Sequence, residues 1–523
     1  MTRVRELMQQ GNKKELWQAC CGFIDLSMDE FMDIQSRLIL EQINLLKESK
    51  IGQKIFNGAS PNSIDDFREL IPFTTYEDYC PELLEQQEDT LPSKVVRWTH
   101  TSGKSGKYRY KWMPIPEGTW EEMSLLMCAA SIFATCHEKG DVDHLPKNFL
   151  YATANAPYTT GVIAYKLQEE FGYKFFPPLD DSGEMTFLER LEKGIQMSLA
   201  EGIDGIYGFT NILVAIGERI KSGSGNVNIS NLLTDPKALF RVLKALIKSK
   251  LAGRPVLPRD LWSLKGMVCG GADSIIFKHR IKDMWGVYPL DIYASTEALI
   301  VAMQTWDYEG MTFVPNLNFL EFIPESDCLK WNEDNSYEMK TVLLDEVKAG
   351  EIYELVITNF HGGPLARYRT GDMVKIESLI NEMLNINIPQ MSFHRRADDV
   401  IFLGNIFRLT ETVIWRAIEN TGIEYADWTA NKEVYEGSPI LRIYLELKES
   451  FPTSEEQLEL AIYENIKKLN DGFIHNIDDI RSMEELMDLH PIRVTSLPIG
   501  AFQNYSKIKQ AEGADLAQLK PPR

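Results

Sequence analysis

Apolar residues recur at steps of three, four and seven through Phe31, Ile34, Leu38 and Leu45, which sets them on one face and predicts helical structure up to about Lys50. Gly58-Ala59-Ser60-Pro61 ends that region, and Phe67 to Tyr79, with Pro72 and two adjacent threonines, reads as an extended connection. Val95-Val96-Arg97-Trp98 is β-branched and aromatic, and Tyr108-Arg109-Tyr110-Lys111-Trp112 alternates aromatic with basic, so the pair predicts a hairpin. Further on, Asn148 to Ala152 reads as a strand and Phe187 to Leu199 as a helix; this alternation predicts α/β layers. The polar stretches Lys221 to Asn231 and Ala252 to Asp260 predict surface loops, and no internal repeat is visible.

From Leu264 the pattern sharpens. Leu264 to Cys269 predicts a short buried strand that ends in Gly270-Gly271-Ala272, followed by a helix over Ile275 to Trp285. Tyr288 to Tyr293 predicts another strand, which delivers Tyr293-Ala294-Ser295-Thr296-Glu297 at the end where α/β folds place ligand chemistry. Two more β signals, Phe319 to Pro324 and Glu351 to Asn359, precede Leu365-Ala366-Arg367-Tyr368-Arg369-Thr370-Gly371-Asp372.

With 523 residues, 44% of them apolar and 25% charged, the chain has the composition of a soluble globular enzyme with at least two domains. Its 55 basic and 76 acidic residues give a net charge of −21, which argues against nucleic acid or an anionic membrane as a general partner. The N-terminus shows no apolar signal region, and the longest apolar stretch, Leu125 to Ala134, falls short of the roughly 20 residues that span a bilayer. Seven cysteines without a Cys-x-x-Cys pair fit a reduced, cytoplasmic setting. The spacing of Cys128, Cys136, His137 and His144 matches no zinc pattern.

The chemistry concentrates in a few segments. Thr101-Ser102-Gly103-Lys104-Ser105-Gly106-Lys107 joins the two hairpin strands and combines glycines that bare the backbone N–H groups with hydroxyls and ammonium groups, a make-up suited to phosphate. A surface turn needing small residues reads the same way, and the Walker spacing is absent. The glycines at 270 and 271 leave a backbone bare enough to lie against a flat ring. Glu297 reads either as a ligand-facing carboxylate or as one that favours a helix N-terminus. Asp372 reads as a turn residue or as an acceptor for both hydroxyls of a ribose.

These four segments, in this order, resemble the adenylate-forming superfamily. Within it, Glu321-Phe322-Ile323-Pro324, Tyr353-Glu354-Leu355-Val356-Ile357-Thr358 and Arg367-Tyr368-Arg369 resemble the auxin-responsive Gretchen Hagen family of acyl-acid amido synthetases. Ile71-Pro72-Phe73-Thr74-Thr75-Tyr76 resembles phenylacetate-CoA ligase. The resemblance runs from about Phe67 to the C-terminus. It implies an α/β fold with a large N-terminal ATP- and acyl-binding domain of sheets and helices over residues 1–397, and a small mobile α+β domain over 398–523.

It also implies a ligase that joins a small carboxylic acid to ATP as acyl-AMP and passes the acyl group to an amine such as an amino acid. Coenzyme A as acceptor and a nucleotide sensor without turnover are the alternatives. ATP and Mg²⁺ would be the cofactors, with no nucleic-acid or membrane partner. By the resemblance, Thr101 to Lys107 hold the β- and γ-phosphates, Gly270, Gly271 and Ala272 with Tyr293 flank adenine, and Ala294, Ser295 and Thr296 complete the nucleotide contact. Asp372 holds the ribose, Glu297 binds Mg²⁺, Arg396 and Asp398 form a hinge, and Lys520 steers the reacting carboxylate. The sequence departs from the family at Lys104, where threonine is usual, and at Arg395, where glycine is usual. Without the resemblance, Arg395 to Asp399 reads as a charged turn and Lys520 as a solvated tail lysine. Tyr151, Tyr158, Phe209 and Thr210 read equally as a lining for the acid or as core.

Overall fold

An eleven-stranded sheet organises the larger part of the chain. Its strands are β3 (Asn148–Ala152), β4 (Lys174–Phe176), β5 (Gly205–Phe209), β6 (Gly266–Gly270), β7 (Pro289–Ser295), β8 (Leu299–Met303), β9 (Met311–Phe313), β10 (Asn318–Pro324), β11 (Ile352–Asn359), β12 (Tyr368–Ser378) and β13 (Gln390–Arg396). They lie in the order β10-β11-β12-β13-β9-β8-β7-β6-β5-β3-β4. The half from β4 to β7 is parallel, and the half from β7 to β10 is antiparallel. A separate hairpin pairs β1 (Val95–His100) with β2 (Trp112–Pro116). The computed structural model describes residues 3–101, 110–180, 185, 187–223, 235–271, 274–334, 336–397, 401–403, 407–448, 454–469, 491–502 and 504.

The chain divides into two compact units, Met1–Ser274 with Lys278–Asp398, and Asp399–Arg523 with Ile275–Phe277. The second unit is a small α+β body. A hairpin of β14 (Ile401–Leu403) and β15 (Phe407–Leu409) leads into a sheet in which β17 (Ser438–Leu447) lies between antiparallel β16 (Tyr425–Tyr435) and parallel β18 (Ile492–Leu497). Ile414, Ile418, Leu458, Ile462 and Ile466 of the helices Glu411–Glu419 and Glu455–Leu469 are buried, as are Leu441, Ile443 and Leu445 of β17.

The N-terminal region is several helices rather than one. Arg3–Gln10, Lys13–Cys21, Met28–Glu48 and Lys50–Phe56 are separated by residues whose side chains cap the next turn. Ser27 and Glu30 form a reciprocal capping box, and the Ser49 hydroxyl accepts from Gly52 N. The predicted face is present, with Phe31 and Leu38 buried and Ile34 and Leu45 half-buried, and it carries the buried polar residues Gln35 and Gln42, the latter bonded to the Gly363 carbonyl and Gly362 N. Gln35 donates to the carbonyls of Pro315 and Asn318 and accepts from Leu320 N, so it satisfies backbone on the outer side of β10.

Phe67 to Tyr79 is not simply extended. Ser63 caps a helix over Ile64–Leu70, whose first turn holds Asp65 and Asp66, and Tyr76–Tyr79 is a 3₁₀ turn. The segment Ala252–Asp260 likewise carries the start of a short helix, Pro258–Leu261. Among the described residues no helix is long and apolar enough to cross a membrane.

Candidate active site

The strands β6, β7 and β12 bring their chemistry to one edge of the larger unit. In β12, Gly371 has φ +70°, which favours glycine, and the absence of a side chain leaves room for the Arg396 guanidinium, whose Nη2 would lie 2.8 Å from a Cβ there. Asp372 follows, buried, and faces Arg396 across the ladder. Arg396 Nη1 donates to Asp372 Oδ1 at 2.6 Å and to the Thr370 carbonyl at 2.8 Å. The Tyr293 hydroxyl, from β7, donates to Asp372 Oδ2 at 2.7 Å.

Burial pushes the Asp372 carboxyl up, and the Arg396 guanidinium opposes that rise without cancelling it. Burial first, and the Asp372 charge second, raise the Tyr293 phenol well above its usual range, so this hydroxyl keeps its proton and donates. Each Asp372 oxygen retains a further lone pair, which is what a vicinal diol needs. At the end of β6, a Cβ on Gly270 would meet only the Ile292 carbonyl, at 3.8 Å, so the backbone there is a bare surface suited to a flat ring. Gly271 has φ +134°, a conformation that side-chain-bearing residues rarely adopt.

Glu297 sits in the turn between β7 and β8, not at a helix N-terminus. Its Oε1 lies 3.5 Å from Lys111 Nζ and 3.5 Å from the Tyr368 hydroxyl, and Lys111 donates to that hydroxyl at 3.2 Å. The Asn359 side chain fixes the turn by donating to the Glu297 carbonyl at 3.0 Å. Glu297 Oε2 meets no donor among the described residues. One carboxylate with an unused oxygen fits Mg²⁺, which takes most of its ligands from water and phosphate. No group of three or more His, Cys, Asp or Glu side chains arranged for a metal occurs among the described residues.

The hairpin reaches the same place. Thr101 N donates to the Lys111 carbonyl at 3.1 Å and Lys111 N donates to Thr101 Oγ1 at 3.2 Å, so Thr101, the one described residue of the predicted phosphate loop, is bonded to the residue whose ammonium lies beside Glu297. A chain of hydroxyls, Thr99 to Thr159 at 3.0 Å and Thr159 to Thr296 at 2.8 Å, ties the hairpin to the β7 turn. Ser102, Gly103, Lys104, Ser105, Gly106, Lys107, Ala272, Asp398 and Lys520 lie outside the described residues. Ser295 serves its own turn, its hydroxyl accepting from Ala298 N at 3.0 Å, and Ala294 is exposed.

Arg367 and Arg369 take a structural part. Arg367 forms a two-point ion pair with Glu321 at 3.2 and 3.0 Å, and Arg369 one with Glu354 at 3.0 and 2.6 Å. The intervening Tyr368 turns the other way, toward Glu297. The segments beginning Glu321, Tyr353 and Arg367 therefore form one device: two ion pairs lock β10, β11 and β12 so that Tyr368 and Asp372 are held in place. Sequence reasoning did not single out Lys111 as a site residue; its signal was the aromatic–basic alternation of Tyr108 to Trp112. Of the residues considered for an acid pocket, Tyr151 and Thr210 are buried, and Tyr158 and Phe209 are half-buried.

The chain matches the GH3 family N-terminal domain over residues 20–173 and the GH3 family central domain over residues 311–396. The second span contains Glu321, Glu354, Arg367, Tyr368, Arg369, Asp372 and Arg396. Among curated relatives, the 4-substituted benzoates-glutamate ligase GH3.12 of Arabidopsis thaliana is 27% identical over 223 residues, 40% of this chain and 36% of that protein. The indole-3-acetic acid-amido synthetase GH3.3 of the same plant is 25% identical over 222 residues, 40% and 34% of the two chains. The matched stretch thus spans about a third of the length of these relatives.

The solved GH3.15 acyl acid amido synthetase in complex with 2,4-DB aligns over 97% of this chain and 93% of its own with a TM-score of 0.52 at 16% identity. A 2-hydroxyisobutyryl-CoA ligase in complex with 2-HIB-AMP and CoA aligns over 93% of each chain with a TM-score of 0.54 at 14% identity. At these identities the likeness establishes the fold alone, one shared with these two solved structures. The two domain matches and these relatives place the GH3 acyl acid amido synthetases among the proteins to which this chain is similar.

Proposed function

We propose that the protein activates a small carboxylic acid with ATP and transfers the acyl group to an amine, an amino acid in the first instance, giving an amide. One acid oxygen attacks the α-phosphorus, the bond to the bridging oxygen breaks, and acyl-AMP and pyrophosphate form. The amine nitrogen then attacks the acyl carbon, AMP leaves, and the ammonium proton passes to solvent. No covalent bond to the protein is needed, so catalysis consists of positioning and charge stabilisation.

The observation that carries this reading is the convergence of Tyr293, Asp372 and Arg396 in one bonded cluster on the sheet that also presents Gly270 and the Glu297–Lys111–Tyr368 group. Asp372 orients the ribose, the Gly270 surface receives adenine, and the Lys111 ammonium places positive charge where the phosphates enter. Mg²⁺ held by Glu297 and the phosphates would offset the charge that builds between the α- and β-phosphorus. Lys520 steers the reacting carboxylate, and a hinge at Arg396 to Asp398 lets the second unit serve the two half-reactions in turn.

The names of the curated relatives, amido synthetases and an acid–glutamate ligase, support an amino acid as acceptor. The CoA ligase among the similar structures supports a second reading, a thioester product. Exchange of labelled pyrophosphate into ATP, dependent on both a carboxylic acid and Mg²⁺, tests the activation step. ATP binding without exchange across a broad panel of acids would overturn it in favour of a nucleotide sensor.

A further inference from the structure

Arg190 stands in the first turn of the helix Phe187–Glu201 with only 4% of its surface exposed. A guanidinium stays charged in a folded protein, and one buried this deeply is ordinarily held by a carboxylate. No described carboxylate pairs with it. Its Nη2 donates to the Thr153 carbonyl, its Nε meets no acceptor, and its flanks are the rings of Tyr151 and Phe187, 5.4 and 5.2 Å from the guanidinium carbon. Burial depresses the guanidinium pKa, and the Tyr151 phenol is the ionisable group that acts on it.

The position of this cation is informative. Thr153 directly follows β3, and β3 runs parallel to β5 with Ala152 opposite Gly208. The end of β3 therefore lies two strand spacings, about 10 Å, from Gly270 at the end of β6. This is the carboxyl-end rim, where parallel sheets bind ligands. On the intervening strand, Thr210 directly follows β5, and its hydroxyl is buried without a partner. Arg190, bonded from its helix to the residue after β3, is thus a buried cation without a counter-ion among the described residues, and the neighbouring strand end holds a buried hydroxyl without a partner.

We propose that Arg190 is the counter-ion of a second carboxylate on the acid substrate, so that the acid taken is a dicarboxylic acid whose far end is bound beyond β3 and β5. This rests on the acid-activation reading and narrows its substrate class. Only the near carboxylate reacts; the far one accepts hydrogen bonds from Arg190, and from Thr210 when it reaches that hydroxyl, and forms no covalent bond.

The test compares suberic and sebacic acid with octanoic and decanoic acid in acid-dependent pyrophosphate exchange, using the full chain and Arg190→Met. The expected result is a kcat/KM at least about tenfold higher for each dicarboxylic acid than for its monocarboxylic partner, a ratio that falls to about one in the variant. Equal rates in the parent protein, or an unchanged ratio in the variant, would overturn the inference while leaving acid activation standing.

Two further measurements keep the question decidable. Without ATP, suberate or sebacate should raise the parent's Tm and octanoate or decanoate should not; this holds even if no acid supports exchange, and absence of the difference counts against Arg190. The unliganded Arg190→Met protein should be at least as stable as the parent, since a buried charge without a counter-ion is removed. A large drop in its Tm would mean that Arg190 serves only to hold the Thr153 carbonyl.

Discussion

Replacing Asp372 with Asn keeps the shape of the side chain and removes the anion that Tyr293 and Arg396 both bond. If both ribose hydroxyls donate to this carboxylate, the parent protein gains two charge-assisted bonds, each worth about 1.5–3 kcal/mol against an absent partner. The amide retains one acceptor oxygen, for which Tyr293 and Arg396 also compete, so the expected loss is about 2 kcal/mol, or roughly 30-fold in ATP affinity. A loss of that size has many possible origins, and a cycle isolates the one intended. Calorimetric titration of ATP and of 2′,3′-dideoxy-ATP into both proteins supplies it. In the parent, deleting the two hydroxyls should weaken binding by about 150-fold or more, the lower end of two such bonds; in Asp372→Asn, by less than about 10-fold. An equal penalty in both proteins would refute the assignment of Asp372 to the ribose, whatever the variant does to ATP itself.

Glu297→Gln keeps an acceptor but loses the anionic ligand, and the Mg²⁺ concentration that half-saturates pyrophosphate exchange should rise at least about tenfold, about 1.4 kcal/mol; an unchanged titration contradicts the metal assignment. Glu321→Gln leaves the buried Arg367 guanidinium without its carboxylate, so urea unfolding should show a loss of about 3–5 kcal/mol, and a change under about 1 kcal/mol would remove the locking role given to that pair. Burial pushes the Asp291 carboxyl up to about 6 from an ordinary 3.8. The folded form then holds its proton to higher pH than the unfolded form, so this group lowers stability as pH rises from about 4 to about 6, and the cost persists above that. Asp291→Asn should accordingly gain on the parent by roughly 2–3 kcal/mol between pH 4 and pH 7, and a pH-independent difference would refute the burial argument.

Much of this arrangement was legible in the chain because its signals are local. Leu264 to Cys269 closes on two glycines, and Tyr288 to Tyr293 follows a helix, so β6 and β7 could be read directly, although β7 runs two residues past Tyr293, to Ser295. The helix over Ile64–Leu70 was obscured because Pro72 and two threonines dominate the reading of its neighbourhood, although Ser63 and the two following aspartates carry an N-terminal signature. Glu297 kept a second reading as a helix N-terminal residue, since the turn that holds it depends on Asn359, a residue 62 positions away.

The two arginines show the same limit from the other side. Alternation marked Arg367 and Arg369 as sharing a face but not what they meet, and Glu321 and Glu354 come to them only through the pairing of β10, β11 and β12. Lys111 gains its meaning in the same way, from a hairpin stem brought beside the turn after β7. Pattern specified the elements, and tertiary pairing specified which of their charges are structural.

The measurement closest to the central claim is the identity of the product. One acid that supports pyrophosphate exchange is incubated with ATP and Mg²⁺ together with coenzyme A and a pool of amino acids, and the products are weighed by mass spectrometry. The account predicts an acyl-amino acid amide as the dominant product, with AMP formed in equal amount; a dominant coenzyme A thioester would contradict it.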